Sequence, residues 1–283
     1  MSNTTDLTFG SLNLSLHVFE IDVVLPHEET IQELTDSLAA EILKDKIQID
    51  PIIVDAKSHV ILDGTHRISA LKSLGCKAVV TCSIDYSNPS VTVERWIRCL
   101  SSLPDALLSE LAEALTLYKT DTHSAMDEVD QGRAPLALIT SKTTYLSRKE
   151  FASVEDAYSL VRRFDGLVWE NGLKFATLPV QLALNTVGAP YEAALYTHPV
   201  KKVDVLNSGL NRRLFPPKST RHLIPVRPVG VMYPLDHLMH FSAADAESSL
   251  LKILESSTPV TLAPGTTYRG RTYDESLLRI RGN

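Results

Sequence analysis

Apolar and polar residues alternate in two rhythms along this chain, and the rhythms mark out its elements. Strict alternation in Leu12-Asn13-Leu14-Ser15-Leu16-His17-Val18 predicts a half-buried strand within an opening strand region over 1–22. Ile31, Leu34, Leu38 and Ile42 then recur at helical spacing after Leu25-Pro26-His27-Glu28-Glu29-Thr30, which predicts a helix with those four on one face. Pro51-Ile52-Ile53-Val54-Asp55 reads as a strand, 56–59 as a turn, and Val60-Ile61-Leu62 as the returning strand. A helix over 66–74 carries Ile68, Leu71 and Leu74 and stops at Gly75, as a C-terminal glycine should make it. A strand over 78–84 closes a compact α/β unit near Tyr86. Pro89 leads into an expected helix at about 91–100 carrying Trp96, and Leu103, Leu107, Leu111 and Leu115 give a helical pattern over 101–118. Residues 119–135 are polar without clear period and read as a linker or mobile loop. Helices at 153–164 and around 188–196 follow, then proline-rich loops near 216–234; there is no internal repeat and no low-complexity tract.

Composition narrows the function classes. A chain of 283 residues can bury one large core or two modest ones. Its net charge of −6 argues against a dominant nucleic-acid surface, which needs a basic domain or stripe. No basic segment leads into an apolar core within the first thirty residues, so no signal peptide is expected, and no apolar run is long enough to cross a bilayer. Cys76, Cys82 and Cys99 are odd in number and lack C-x-x-C pairing, which suits buried thiols in a reducing, cytoplasmic setting.

The richest local chemistry lies where the 60–62 strand meets the 66–74 helix, at Asp63-Gly64-Thr65-His66-Arg67. A strand feeding a helix start leaves unpaired N–H groups and the positive end of a dipole, a ready anion site. Gly64 lets backbone approach a phosphate, while an acid, a hydroxyl, an imidazole and a guanidinium surround it. Asp63 also has a plainer reading, as a turn residue capping the helix. A second cluster follows Pro216-Pro217: Lys218, Ser219, Thr220, Arg221 and His222 place two cations, two hydroxyls and an imidazole in five residues. Prolines restrict the backbone, so such a loop can be rigid while offering N–H groups and hydroxyls to an anion. Arg221 suits bidentate capture of a carboxylate or phosphate; the plainer reading is a solvated basic loop.

Other constellations carry less. His237-x-x-His240 has no third metal ligand nearby in sequence, and Arg162-Arg163 reads as a solvated helix face. Arg269, Arg271, Arg279 and Arg281 make a basic tail, expected to be a frayed surface terminus. Neither a Walker-type phosphate loop nor a dinucleotide glycine fingerprint is present.

The run from Leu25-Pro26-His27-Glu28-Glu29 through Asp50-Pro51-Ile52-Ile53-Val54-Asp55 to Asp63-Gly64-Thr65-His66-Arg67 resembles the N-terminal domain of the ParB/sulfiredoxin-like superfamily. Within it, Pro216-Pro217-Lys218-Ser219-Thr220-Arg221-His222 and Pro225-Val226-Arg227-Pro228 are similar to the C-terminal block of the free L-serine kinases, both the archaeal ADP-dependent and the siderophore-pathway type. The resemblance is strong over 15–100 and 215–230 and loose between; Thr65 stands where the family pattern has histidine.

The resemblance implies a ParB-like α/β (α+β) domain over 1–100, a second mixed α/β lobe over 101–283 that supplies the loop 216–222, and an active site between them. It implies a kinase that moves the terminal phosphoryl group of ADP or ATP, with Mg²⁺, onto free L-serine. Such a reaction needs a base near the hydroxyl, a cradle for the phosphates and a clamp on the amino acid's charged ends. Glu28 and Glu29 are the candidate bases, Glu28 being the position aligned with the family's base; at a helix start either also serves as a favourable N-terminal charge. Asp63 would share proton abstraction or hold Mg²⁺. Gly64, Thr65, His66, Arg67, Lys218 and Ser219 are assigned to the nucleotide, and Trp96, Thr220, Arg221 and His222 to serine, with Trp96 an apolar wall or simply core. Two other functions are weighed. A ParB-like DNA-binding regulator needs a basic recognition helix, yet Asp105, Glu110 and Glu113 make 101–118 acidic. A sulfiredoxin-like reductase needs a cysteine beside the Gly-x-His-Arg turn, and Cys76 lies at the helix's far end. No membrane and no nucleic-acid partner is expected; oligomeric state stays open.

Overall fold

The computed structural model describes residues 5–280 and shows a mixed α/β protein that separates into two compact units. The first takes in residues 1–92, 209–212 and 222–283; the second takes in 93–208 and 213–221. The division therefore differs from contiguous blocks of 1–100 and 101–283, because the C-terminal segment packs into the first unit.

The first unit opens with β1 (Asp6–Phe9) and β2 (Leu12–Glu20), then α1 (Gln32–Asp45), β3 (Ile47–Gln48), β4 (Ile52–Asp55), β5 (Ile61–Asp63), α2 (Thr65–Ser73) and β6 (Ala78–Ile84). Its sheet runs β1-β2-β6-β4-β5, with β6 antiparallel to β2 and parallel to β4. All seven residues of β6 are buried, as a central strand requires, whereas β2 buries only Leu12, Leu14, Leu16 and Val18. A side chain extends this network: the amide of buried Gln48 accepts from Val80 N–H at 2.9 Å and donates to Val80 C=O at 2.8 Å. On α1 the expected face is rotated, since Ile42 and Thr35 are buried and Leu34 is exposed.

In the second unit β7 (Thr92–Leu100) replaces the helix expected at 91–100. Apolar Val93, Ile97 and Cys99 follow a period of two there, and buried Arg95 takes the place in that series that disguises it. After α3 (Asp105–Ala114) come β8 (Leu117–Thr120) and α4 (Thr122–Asp130), so 119–135 is ordered rather than a linker. Asp121 caps α4 by accepting from Ser124 N–H, and Ala125 and Val129 are buried. Then follow β9 (Leu136–Thr140), β10 (Thr144–Ser147), α5 (Val154–Glu170), β11 (Phe175–Pro179), α6 (Val180–Thr186) and β12 (Ala193–Thr197). The helix expected near 188–196 is thus a short α6 ending at Thr186 and a fully buried strand. The sheet order is β11-β7-β12-β9-β10-β8, with a further strand, Thr220–Leu223, paired to β7.

The remaining elements are α7 (Lys202–Asn211), β13 (Thr220–Leu223), β14 (Val226–Val229), β15 (Tyr233–Pro234), α8 (Leu235–His240), α9 (Ala243–Glu255), β16 (Val260–Leu262), β17 (Thr267–Tyr268), β18 (Arg271–Thr272) and β19 (Ser276–Arg279). Three short strands therefore stand within the stretch expected to be proline-rich loop. The tail is no frayed terminus either: β19 lies between β14 and β16 in a three-stranded sheet, parallel to β14. Arg281 of the basic tail lies outside the described residues.

Candidate active site

In the first unit, β5 ends on Asp63 and α2 begins at Thr65, with Gly64 as the turn between them. Gly64 has φ +105°, and a Cβ there would lie 3.0 Å from Arg67 Nη1 and 3.2 Å from Ile52 Cγ1. Both facts demand glycine. The Asp63 carboxylate turns to Arg227, whose Nη1 is 3.2 Å from Oδ2, rather than to the helix N–H groups. Desolvation would push its pKa up, but Arg227, Arg67, Arg271 and His222 together hold the carboxyl below the usual carboxylate range. Asp63 is therefore an ionised acid in a cationic setting. Arg67 donates to Pro51 C=O at 2.8 Å. His66 Nε2 accepts from Ile31 N–H at 3.1 Å, which ties the first turn of α2 to the start of α1 and places the neutral ring's proton on Nδ1. Thr65, at the first position of α2, is half-buried.

Arg227 is itself buried and donates to Glu275 and, at 2.9 Å, to His222 C=O. The buried His222 ring sits 2.8 Å from Tyr86 Oη through Nε2 and packs edge-on against His27 at 5.4 Å between centroids. His27 Nδ1 donates to Ile61 C=O at 2.6 Å, and its Nε2 lies 3.7 Å from Glu28 Oε1. Burial pushes His27 below its ordinary pKa despite the Glu28 carboxylate, so the ring is neutral at pH 7. Glu28 and Glu29 are half-buried in the segment before α1, not in a helix start. Their carboxylates are thus not simply complements to a helix dipole.

The other predicted residues gather in the second unit. Trp96 lies on β7, half-buried, where a helix was expected. The Arg221 guanidinium stands 5.5 Å from the Trp96 ring centroid and donates to Glu94 at 2.9 Å. Residues 216–219 form a tight turn in which Ser219 Oγ donates to Pro216 C=O at 2.7 Å. Ser219 is fully buried, with its hydroxyl bonded within the turn. Trp96 N–H donates to Ser219 C=O at 3.2 Å. Lys218 is half-buried with φ +57°, and Thr220 is buried at the start of β13.

Several members of these clusters were not singled out from the sequence. Arg227 stood inside the quoted Pro-Val-Arg-Pro block without a role, and Arg271 was assigned to a frayed tail. Their signal is basic charge in an acidic chain, and only the tertiary packing that lines one pocket with Asp63, Arg67, Arg227 and Arg271 shows where it is directed. The three cysteines are buried and free, and burial raises the thiols of Cys76 and Cys99 to about 11 and that of Cys82 further still. None is poised as a thiolate nucleophile.

A ParB-like protein of Sulfolobus acidocaldarius is 30% identical over 199 residues, spanning 70% of this chain and 85% of that protein, and this chain belongs to the ParB-like protein family. An ATP-dependent L-serine kinase of Staphylothermus marinus is 23% identical across 78% of the chain and 90% of that protein. The ADP-dependent L-serine kinase SerK of Thermococcus kodakarensis is 22% identical across 77% and 91%. No family model matches. Among solved structures, a free serine kinase in complex with AMP superposes with a TM-score of 0.68 at 19% identity, covering 79% of this chain and 93% of that one. SbnI from Staphylococcus aureus, truncated at its C-terminus, gives 0.67 at 16% identity, covering 85% and 95%. These two share the fold of this chain.

Proposed function

We propose that this protein is a small-molecule kinase that transfers the terminal phosphoryl group of ATP or ADP to the hydroxyl of free L-serine, giving O-phospho-L-serine. The observation that carries the reading is the ionised Asp63 carboxylate at the start of α2, set among Arg67, Arg227, Arg271 and His222. Phosphoryl transfer needs positive charge where the phosphate oxygens gather and a carboxylate where a proton or cation must be handled. The serine oxygen forms a bond to the terminal phosphorus as the bond to the bridging oxygen breaks. ADP or AMP leaves, and the hydroxyl proton passes to a carboxylate base.

Glu28 fills the role of base in this reading, with Glu29 its neighbour. The N–H groups of Gly64 and Thr65 and the side chains of His66, Arg67 and Lys218 bind the nucleotide phosphates. Trp96, Thr220, Arg221 and His222 bind serine, Arg221 through its carboxylate. Among the described residues no three acids, histidines or cysteines gather as a metal cage. Mg²⁺ takes one or two carboxylates and otherwise phosphate oxygens, and Asp63 is the residue that would hold it. When bound, the ion would neutralise charge on the phosphates. No described helix is long and apolar enough to cross a membrane.

The test is direct. Purified protein incubated with Mg²⁺, L-serine and either ATP or ADP should yield phosphoserine with one or both donors. No product with either nucleotide would sink the proposal, and salt-sensitive binding to duplex DNA in its place would favour a regulator.

A further inference from the structure

Arg98 is wholly buried near the C-terminal end of β7, a place where an apolar residue would ordinarily stand. Its Nε and Nη2 donate to the two carboxylate oxygens of buried Asp165 on α5, at 2.5 and 2.8 Å. A buried ion pair of this kind contributes little net stability beyond a well-packed apolar pair, so stability alone does not account for it. Arg98 reaches further than its partner. Nη2 also donates to Pro217 C=O at 3.0 Å, and Nη1 approaches Lys218 C=O at 3.5 Å. The same guanidinium thus grips two successive carbonyls of the 216–219 turn from inside the unit. Lys218 holds φ +57°, a left-handed conformation that a non-glycine residue keeps only when its surroundings impose it.

We propose that the buried Arg98–Asp165 pair is a positioning device, holding the 216–219 turn so that the Lys218 ammonium is set to receive nucleotide phosphate. The inference rests on the assignment of Lys218 to phosphate. Lysine at 98 could not replace arginine, because a point charge cannot meet a carboxylate side-on and two carbonyls together. Asp165 acts at one remove, by fixing the plane of the guanidinium.

Three variants of the full chain test it: Arg98→Lys, Lys218→Ala, and their combination. A fourth, Arg98→Met with Asp165→Leu, removes both charges, leaves none buried alone, and decides the matter if Arg98→Lys fails to fold. The amides of 218–221 should exchange with deuterium at least about tenfold faster in the Arg98 variants, while the strands Leu136–Thr140 and Ala193–Thr197 keep wild-type protection. ATP or ADP should bind up to about 100-fold more weakly, a larger loss than the rise in the KM for serine. The combined variant should bind nucleotide no worse than Lys218→Ala alone, since both changes act through one group. Unchanged exchange at 218–221, or losses from Arg98 and Lys218 that multiply, would overturn the proposal. If wild type bound nucleotide without phosphorylating serine, the kinase reading would fail alone, and exchange and nucleotide binding would still decide the role of Arg98.

Discussion

At the scale of single residues, Asp63 divides two roles that its position leaves open. A helix-capping aspartate would bond to N–H groups of the first turn, but the carboxylate faces Arg227. Asp63→Asn should therefore leave the fold intact and cut turnover below about a tenth of wild type, measured as phosphoserine formed per unit time. Because the folded-state pKa is depressed, any stability it lends is present above the ordinary carboxylate pKa and lost as pH falls through the lowered value. Acid melting curves of Asp63→Asn should accordingly be flatter than those of wild type. Glu28 and Arg221 separate the chemical step from binding. Glu28→Gln should lower kcat by about 10²–10⁴ with substrate KM values nearly unchanged. Arg221→Ala should chiefly raise the KM for serine, since it removes a carboxylate clamp. If Glu29→Gln were crippling and Glu28→Gln silent, the base would be the neighbouring residue.

At the scale of elements, α9 is fastened to β2 by one acid. Glu247 accepts from Val18 N–H at 2.5 Å and pairs with His17 Nδ1 at 2.9 Å. The hydrogen bond and charge of Glu247 raise the His17 pKa. A raised histidine stabilises fully below its unfolded pKa of about 6.5 and ceases to do so as pH climbs through the folded value. The Tm gap between wild type and His17→Gln should thus be wide at pH 5.5 and narrow at pH 8.5; a gap independent of pH would refute the pairing. Element by element, the sequence was most legible where one period dominated. β2, β4, α2 and β6 follow from alternation, an unbroken apolar run and the Gly75 stop. It misled where a buried polar partner took an apolar place, as with Arg95 and Arg98 in β7. It misled again where capping rather than periodicity set the element, as with Asp121 at α4. The Asp63–Arg67 turn and the 216–222 block were both legible as chemistry. Arg227 and Arg271 were not, because the packing that brings them to Asp63 is a long-range contact with no local trace.

At the scale of the whole molecule, the first unit is assembled from both ends of the chain, with 93–208 and 213–221 forming the second between them. Residues 1–100 expressed alone should lack β14, α8, α9 and β19 and fail to give a cooperative melt. Supplying 222–283 as a separate segment should restore at least part of it, and an autonomous fold of 1–100 would contradict the contact pattern.

The interrupted path also sets an order of events on the ribosome. Every residue of the second unit has been synthesised by Arg221, whereas β19 follows only at Ser276–Arg279. At about 5–20 residues per second, Leu14, Val80 and their neighbours wait about 10–50 s for the segment that completes their unit. The middle of the chain can thus complete its unit before the beginning does, and a nascent chain stalled near residue 221 should expose the apolar face of β2 to chaperones.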